Sequence, residues 1–156
     1  MIPTKQGNPN PSTVDQTFNM FGVLLNFLVT PNETGDEISL FKGTLPPGVV
    51  IPLHSHAEPE VFYVLEGSLE VYREGDQSQG WSATQPGGVL AIPGKVKHAL
   101  RNTSSTPTTV ILVTQDELYN FFRSVAKPFE AGQMPAPPAP EVMQQLFAGW
   151  ARPKRT

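Results

Sequence analysis

The sequence predicts an all-β fold, a small sandwich or barrel with a helical appendage after it. Three observations carry this. Short apolar segments recur between clusters of Gly, Pro, Asn and Asp, the pattern of many short strands joined by turns. Glycine and proline are frequent, 13 and 17 in 156 residues, and outside APPAP (136–140) the prolines punctuate apolar segments. After residue 114 the apolar spacing changes from the two-residue period of a strand to that of a helix.

Taken in order, residues 1–17 form a polar, turn-rich N-terminal arm with little apolar surface to bury. The barrel is expected over 18–114. FNMFGVLLNFLV (18–29) is a strand region, with the strand itself at GVLLNFLVT (22–30), and PNETGDE (31–37) is a turn cluster. ISLFKGTL (38–45) alternates, with Ile38, Leu40 and Lys42 on one side and Phe41 on the other. Pro46, Pro47 and Gly48 turn into VVIPLHSH (49–56), where Pro52 marks an edge or a bulge. AEP (57–59) returns the chain into EVFYVLEG (60–67). SLEVYREG (68–75) is expected to pair with that strand across a tight Glu66-Gly67-Ser68 turn. GDQSQG (75–80) is a further turn, and WSATQPGG leads into the strand VLAIP (89–93). VKHALRNT (96–103) is the next strand and the β-branched TVILVT (109–114) the last.

The C-terminal helical extension, 115–156, opens on TQDE (114–117), a capping box with Thr114 as N-cap. Leu118, Phe121, Phe122 and Val125 recur at helical spacing, and Pro128 stops the helix. Beyond the proline-rich linker, EVMQQLFAGW (141–150) predicts a second short helix, with Val142, Leu146 and Trp150 on one stripe.

Composition excludes several chemistries. There is no cysteine, so thiolate metal sites, iron–sulfur clusters, disulfides and cysteine nucleophiles are out. The formal net charge of −3 gives no basic excess for nucleic acid. The longest apolar run, 18–29, is too short for a bilayer and is interrupted by Asn19, Gly22 and Asn26. The reading is a cytoplasmic protein with a small-molecule ligand and neither a nucleic-acid nor a membrane partner.

The chemistry concentrates in GVVIPLHSHAEPEVFYVLEG (48–67). His54 and His56, two apart on a strand, share a side. If the turn at 57–59 closes a hairpin, Glu60 opens the strand beside them. The third and last histidine, His98, lies in IPGKVKHALRN. The four are expected to close on one metal ion inside the barrel. Nitrogen and carboxylate donors suit divalent Mn, Fe, Co, Ni, Cu or Zn. Strand parity turns Phe62 and Val64 inward with Glu60, and Phe41, Leu53 and Trp81 are further candidates for the substrate pocket. Glu58, in the turn, is expected to face solvent.

These residues resemble a known family. Gly48, five residues, His54, one residue, His56, three residues, Glu60, six residues, Gly67 is similar to the first motif of the cupin superfamily. Gly87, Pro93, His98 and Asn102 resemble its second motif. The usual glycine two after the proline is Lys95 here, with Gly94 before it, a departure expected to shift the turn and alter the pocket rim. The match spans about 38–114. More loosely, the chain resembles small single-domain cupins of the quercetin dioxygenase type.

The resemblance implies a double-stranded β-helix, or jelly-roll barrel, with one metal held by three histidines and a glutamate. It also implies a homodimer. FNMFGVLLNFL could serve that interface or cover its own barrel, and both stay open. Three functions are compatible with the motifs. One is a metal-dependent dioxygenase of a small aromatic or enolisable substrate, with Glu60 as catalytic proton acceptor as well as ligand. The others are a non-redox isomerase or lyase and a binding module without turnover.

Overall fold

The computed structural model describes residues 16–75, 80–130, 141 and 145. In chain order the strands are β1 (Phe18–Met20), β2 (Val23–Val29), β3 (Ile38–Leu45), β4 (Val50–His54), β5 (Glu60–Glu66) and β6 (Leu69–Arg73). Then come β7 (Ser82–Thr84), β8 (Val89–Ile92), β9 (His98–Arg101), β10 (Thr108–Gln115), the helix α1 (Asp116–Val125) and β11 (Lys127–Pro128). They form two antiparallel sheets that face each other as a jelly-roll barrel. One runs β11-β1-β2-β3-β10-β5-β8 and the other β4-β9-β6-β7. No helix among the described residues is long and apolar enough to cross a membrane.

Alternation sets what each sheet turns inward. In β3, Ser39, Phe41, Gly43 and Leu45 are buried while Ile38, Leu40 and Lys42 face outward, the parity expected from the sequence. Register then aligns inward rows across the large sheet. Leu25, Gly43, Val110 and Val64 form one row; Phe27, Phe41, Leu112, Phe62 and Leu90 form the next.

Two expected pairings are corrected. β5 and β6 do not form a hairpin, because β5 lies between β10 and β8 while β6 lies between β9 and β7 in the other sheet. Gly67 makes the crossing. Its φ is +75°, and a Cβ there would stand 2.7 Å from the carbonyl oxygen of Pro107. β4 and β5 likewise belong to different sheets. The stretch 50–66 therefore bridges the barrel instead of folding back on itself.

The N-terminal strand region splits in two. Phe21 and Gly22 both take positive φ, 54° and 90°, and make a two-residue hairpin turn closed by the pair Met20 and Val23. Asn19 Oδ1 accepts the Gly22 N–H at 2.9 Å and holds the turn. Phe18, Met20, Phe21, Val23, Leu25 and Phe27 are all buried, so this segment covers its own barrel.

Helix α1 packs Leu118, Phe121 and Phe122 into the same core. Each such burial stabilises by about 1.5–3 kcal/mol. Phe122 lies 5.3 Å from Phe41, ring to ring, and the Arg123 guanidinium sits over Phe18 and Phe27. Thr114 is not its N-cap. The hydroxyl of Thr114 donates to the Pro59 carbonyl at 2.8 Å, and Gln115 takes the cap position. Beyond α1, β11 pairs with β1, and β7 adds an edge to the small sheet; neither short strand shows in the alternation. The polar arm up to residue 15, the turn at 76–79 and the linker at 136–140 lie outside the described residues. The second helix does so too, except for positions 141 and 145, which are helical.

Candidate metal centre

Four side chains converge where the sheets face each other. His54 ends β4, His56 lies two residues beyond it, Glu60 opens β5 and His98 opens β9. His54 and His98 are register partners, which brings their rings to 4.3 Å between centroids. Glu60 enters from the opposite sheet. One ligand atom from each of the four lies within 4.8 Å of the others. His56, Glu60 and His98 are buried.

The three imidazoles are held alike. Nδ1 of His54 is 2.7 Å from the Pro52 carbonyl oxygen, that of His56 is 2.8 Å from Glu58 O, and that of His98 is 2.8 Å from Val96 O. A carbonyl accepts only from a protonated nitrogen, so each neutral ring carries its proton on Nδ1 and presents a bare Nε2. The Nε2 atoms of His56 and His98 stand 2.9 and 3.1 Å from one oxygen, Glu60 Oε1. Lone pairs facing a carboxylate at such distances repel unless positive charge stands among them. Added protons meet that need, and so does a cation. The donor set, three imidazole nitrogens and a carboxylate, fits a first-row divalent ion.

The ionisation of the groups follows. Burial, aided by repulsion from His98, lowers His54 to about 4. Burial also pulls on His56, but its hydrogen bond to Glu60 and the attraction of that carboxylate lift it above the ordinary value. Burial works against ionised Glu60 as well, yet hydrogen bonds from His56 and His98 bring it down to about 2.

A pH prediction results for metal-free protein. Between pH 6.5 and about 4, His54 takes up a proton when unfolded and resists it when folded. Stability therefore falls with falling pH in that window, by up to about 3 kcal/mol. His56 acts in the opposite sense: its contribution is complete below pH 6.5 and is lost as pH rises through its elevated value. Urea melts of chelated protein should show maximal stability near pH 6.5, and His54→Gln should flatten the acid side. An acid limb unchanged in that variant would count against His54 as its source.

Glu58 is not solvent-facing. It is 2% exposed, its Oε2 has no hydrogen-bond partner among the described residues, and that oxygen lies 3.8 Å from His56 Nδ1. Burial pushes the Glu58 carboxyl up, and neighbouring Glu117 adds to the rise. The turn composition suggested exposure. The two motif loops instead close over the residue, as the Lys95 N–H donates to the His56 carbonyl at 2.7 Å. Lys95 takes φ +70°, the left-handed conformation that favours glycine. Asn102 is structural. Its amide donates to the carbonyls of Leu45 and Thr106 and locks the loop after β9.

Beside the cluster lies a cavity whose wall includes Phe62, as parity suggested. Phe41 and Val64 are fully buried but do not line it; Phe41 stacks on Tyr119. Leu53 and Trp81 are outside it. Leu53 alternates with inward His54 and is 48% exposed, and Trp81 lies beneath the Arg101 guanidinium, 3.9 Å from ring centroid to Cζ. The wall residues passed over include Leu25, Gly43, Leu45, Ile51 and Leu100. Gly43 and Leu45 share the face of Phe41, so parity alone could have found them; Leu100 required the pairing of β9.

Residues 41–114 match the family model for a Cupin domain. No curated protein matches the chain. Among solved structures, a predicted oxalate decarboxylase from Thermotoga maritima is 22% identical with a TM-score of 0.56, covering 66% of this chain and 95% of that one. The Cupin_2 domain of an XRE family transcriptional regulator from Enterobacter cloacae is 24% identical with a TM-score of 0.51, covering 60% and 96%. A mutant of Bacillus subtilis oxalate decarboxylase is 21% identical with a TM-score of 0.56, covering 67% of this chain and 28% of that one. These likenesses speak to the fold.

Proposed function

Because this chain belongs to the cupin superfamily, through the domain at 41–114, we propose that it is a metal-dependent cupin of dioxygenase type acting on a small enolisable or aromatic substrate. His54, His56, Glu60 and His98 hold the ion. The observation that carries the reading is the common fixing of the three Nδ1 atoms on backbone carbonyls, which leaves each Nε2 bare and sets those of His56 and His98 against the Glu60 carboxylate. When bound, the ion supplies Lewis-acid polarisation of a substrate oxygen and, if redox-active, an electron path. Glu60, buried with its Oε1 beside His56 and His98, is the group we assign to accept a substrate proton. The surrounding hydrocarbon wall lowers the local dielectric around that transfer.

The dioxygenase step rests on the resemblance of the motifs. Elemental analysis of protein purified without added metal tests the centre: about one divalent ion per chain is expected. A protein without metal that gains none from any divalent salt removes the reading. Oxygen consumption with turnover then separates a dioxygenase from an isomerase or lyase, which turns over without it, and from a module that retains ligand unchanged.

A homodimer and a cytoplasmic location complete the proposal. Val61, Tyr63, Leu65 and Val89, 40–62% exposed on the outer face of the large sheet, offer a second copy an apolar surface. Tyr63 is flanked in register by Val89 and Ile111, so the surface is continuous. Sedimentation velocity at micromolar concentration should give twice the 17.0 kDa chain mass; a single 17.0 kDa species at every concentration would sink the dimer.

A further inference from the structure

The cavity beside the four ligands specifies more than a metal. Apart from His54, His56 and Glu60, every side chain on its wall is a hydrocarbon or a thioether, and Gly43 contributes none. Among the described residues, no lysine, arginine, amide or hydroxyl lines it. Its size is also restrictive. About 50 Å³ is open to the centre of a water-sized sphere, room for roughly three to five waters at ~10–15 Å³ each.

Resting on the metal reading above, we propose that this cavity binds a small monoanionic oxygen ligand with an apolar aliphatic body, a short-chain carboxylate or enolate, and rejects dianions and polycyclic phenols. A divalent ion beside the Glu60 carboxylate leaves one net positive charge, which one anionic oxygen neutralises. A second anionic group would enter a wall without a cation or donor, and an uncompensated buried charge is expensive. A three-ring phenol exceeds the space. The space itself depends on Gly43, which sits in the inward row between Leu25 and Val110. A Cβ there would meet Val110 Cγ2 at 3.3 Å and Leu25 Cδ2 at 3.9 Å, and so would take up room that the ligand uses.

The test uses cobalt(II)-loaded protein titrated with butanoate and, separately, with succinate, the same chain bearing a second carboxylate. The cobalt absorption band is followed, and retained cobalt is measured after each titration. Butanoate is expected to bind at least about tenfold more tightly than succinate. Gly43→Ala should keep its cobalt and weaken butanoate by about threefold or more. Ile51→Lys, at a partly buried wall position, should narrow or reverse the preference by supplying a cation. Succinate binding as tightly as butanoate to the unaltered protein overturns the proposal, and so does retained cobalt whose band ignores butanoate. Protein that holds no cobalt fails at the metal reading beneath it, a different result. The comparison of the two ligands on the unaltered chain stands even if a variant does not fold.

Discussion

His98→Gln is expected to lower metal affinity by at least about 100-fold while leaving the barrel folded. Loss of an outer-shell partner alone costs about 10–100-fold, and His98 would be an inner ligand. The fold should survive for reasons specific to the position. His98 is 1% exposed, so volume matters there, and glutamine nearly conserves it. What is lost is Nε2, one of the two nitrogens facing Glu60 Oε1. Metal-free variant and metal-free parent should therefore melt close together, while metal-loaded samples separate widely, since binding to the folded state alone adds to stability. Metal content and melting, each measured with and without chelator, check both halves. Full metal occupancy in the variant would take His98 out of the centre.

The centre was legible in the sequence for a simple reason. The four side chains that could hold an ion, Glu60 and the three histidines of a chain with no others, stand at spacings that survive any reasonable strand assignment. The connectivity was less legible. Reading 54–60 as a hairpin brought His54, His56 and Glu60 together by the wrong route. Short turns do suggest hairpins, yet Gly67 and the 57–59 turn both carry the chain between sheets. In a jelly roll, strands adjacent in sequence often face each other across the core, and local alternation does not report that. Register does, and register comes from pairs such as His54 with His98, far apart in the chain. The short strands β1, β7 and β11 escaped for the same reason: two or three residues are too few to show a period. The cavity wall was half legible. Parity turned Phe62 inward, but it equally places Leu53 opposite His54 and so outside.

Gly94→Ala is expected to destabilise the protein by about 2–3 kcal/mol and to weaken metal binding with it. A Cβ at residue 94 would collide with the Ala57 carbonyl oxygen and stand 3.1 Å from its carbon. Both are backbone atoms, so no rotamer change relieves the contact. Ala57 follows His56 directly, and the His56 carbonyl already accepts the Lys95 N–H at 2.7 Å. Displacing either loop must then move His56 against Glu60, whose oxygen lies 2.9 Å from its Nε2. Lys95→Gly, one residue on, should act in the other direction. Lys95 holds φ +70°, a conformation costing a residue with a Cβ about 1–2 kcal/mol. Part of that is recovered with glycine, so a gain of about 0.5–1 kcal/mol with unchanged metal content is expected. Adjacent substitutions of opposite sign separate two demands on one turn. Residue 94 must leave space for a neighbouring backbone, whereas residue 95 must turn left-handed, which lysine does under strain. Denaturant melts of both variants with metal titrations decide the matter, and a Gly94→Ala protein as stable as its parent would show that the two loops do not approach as described.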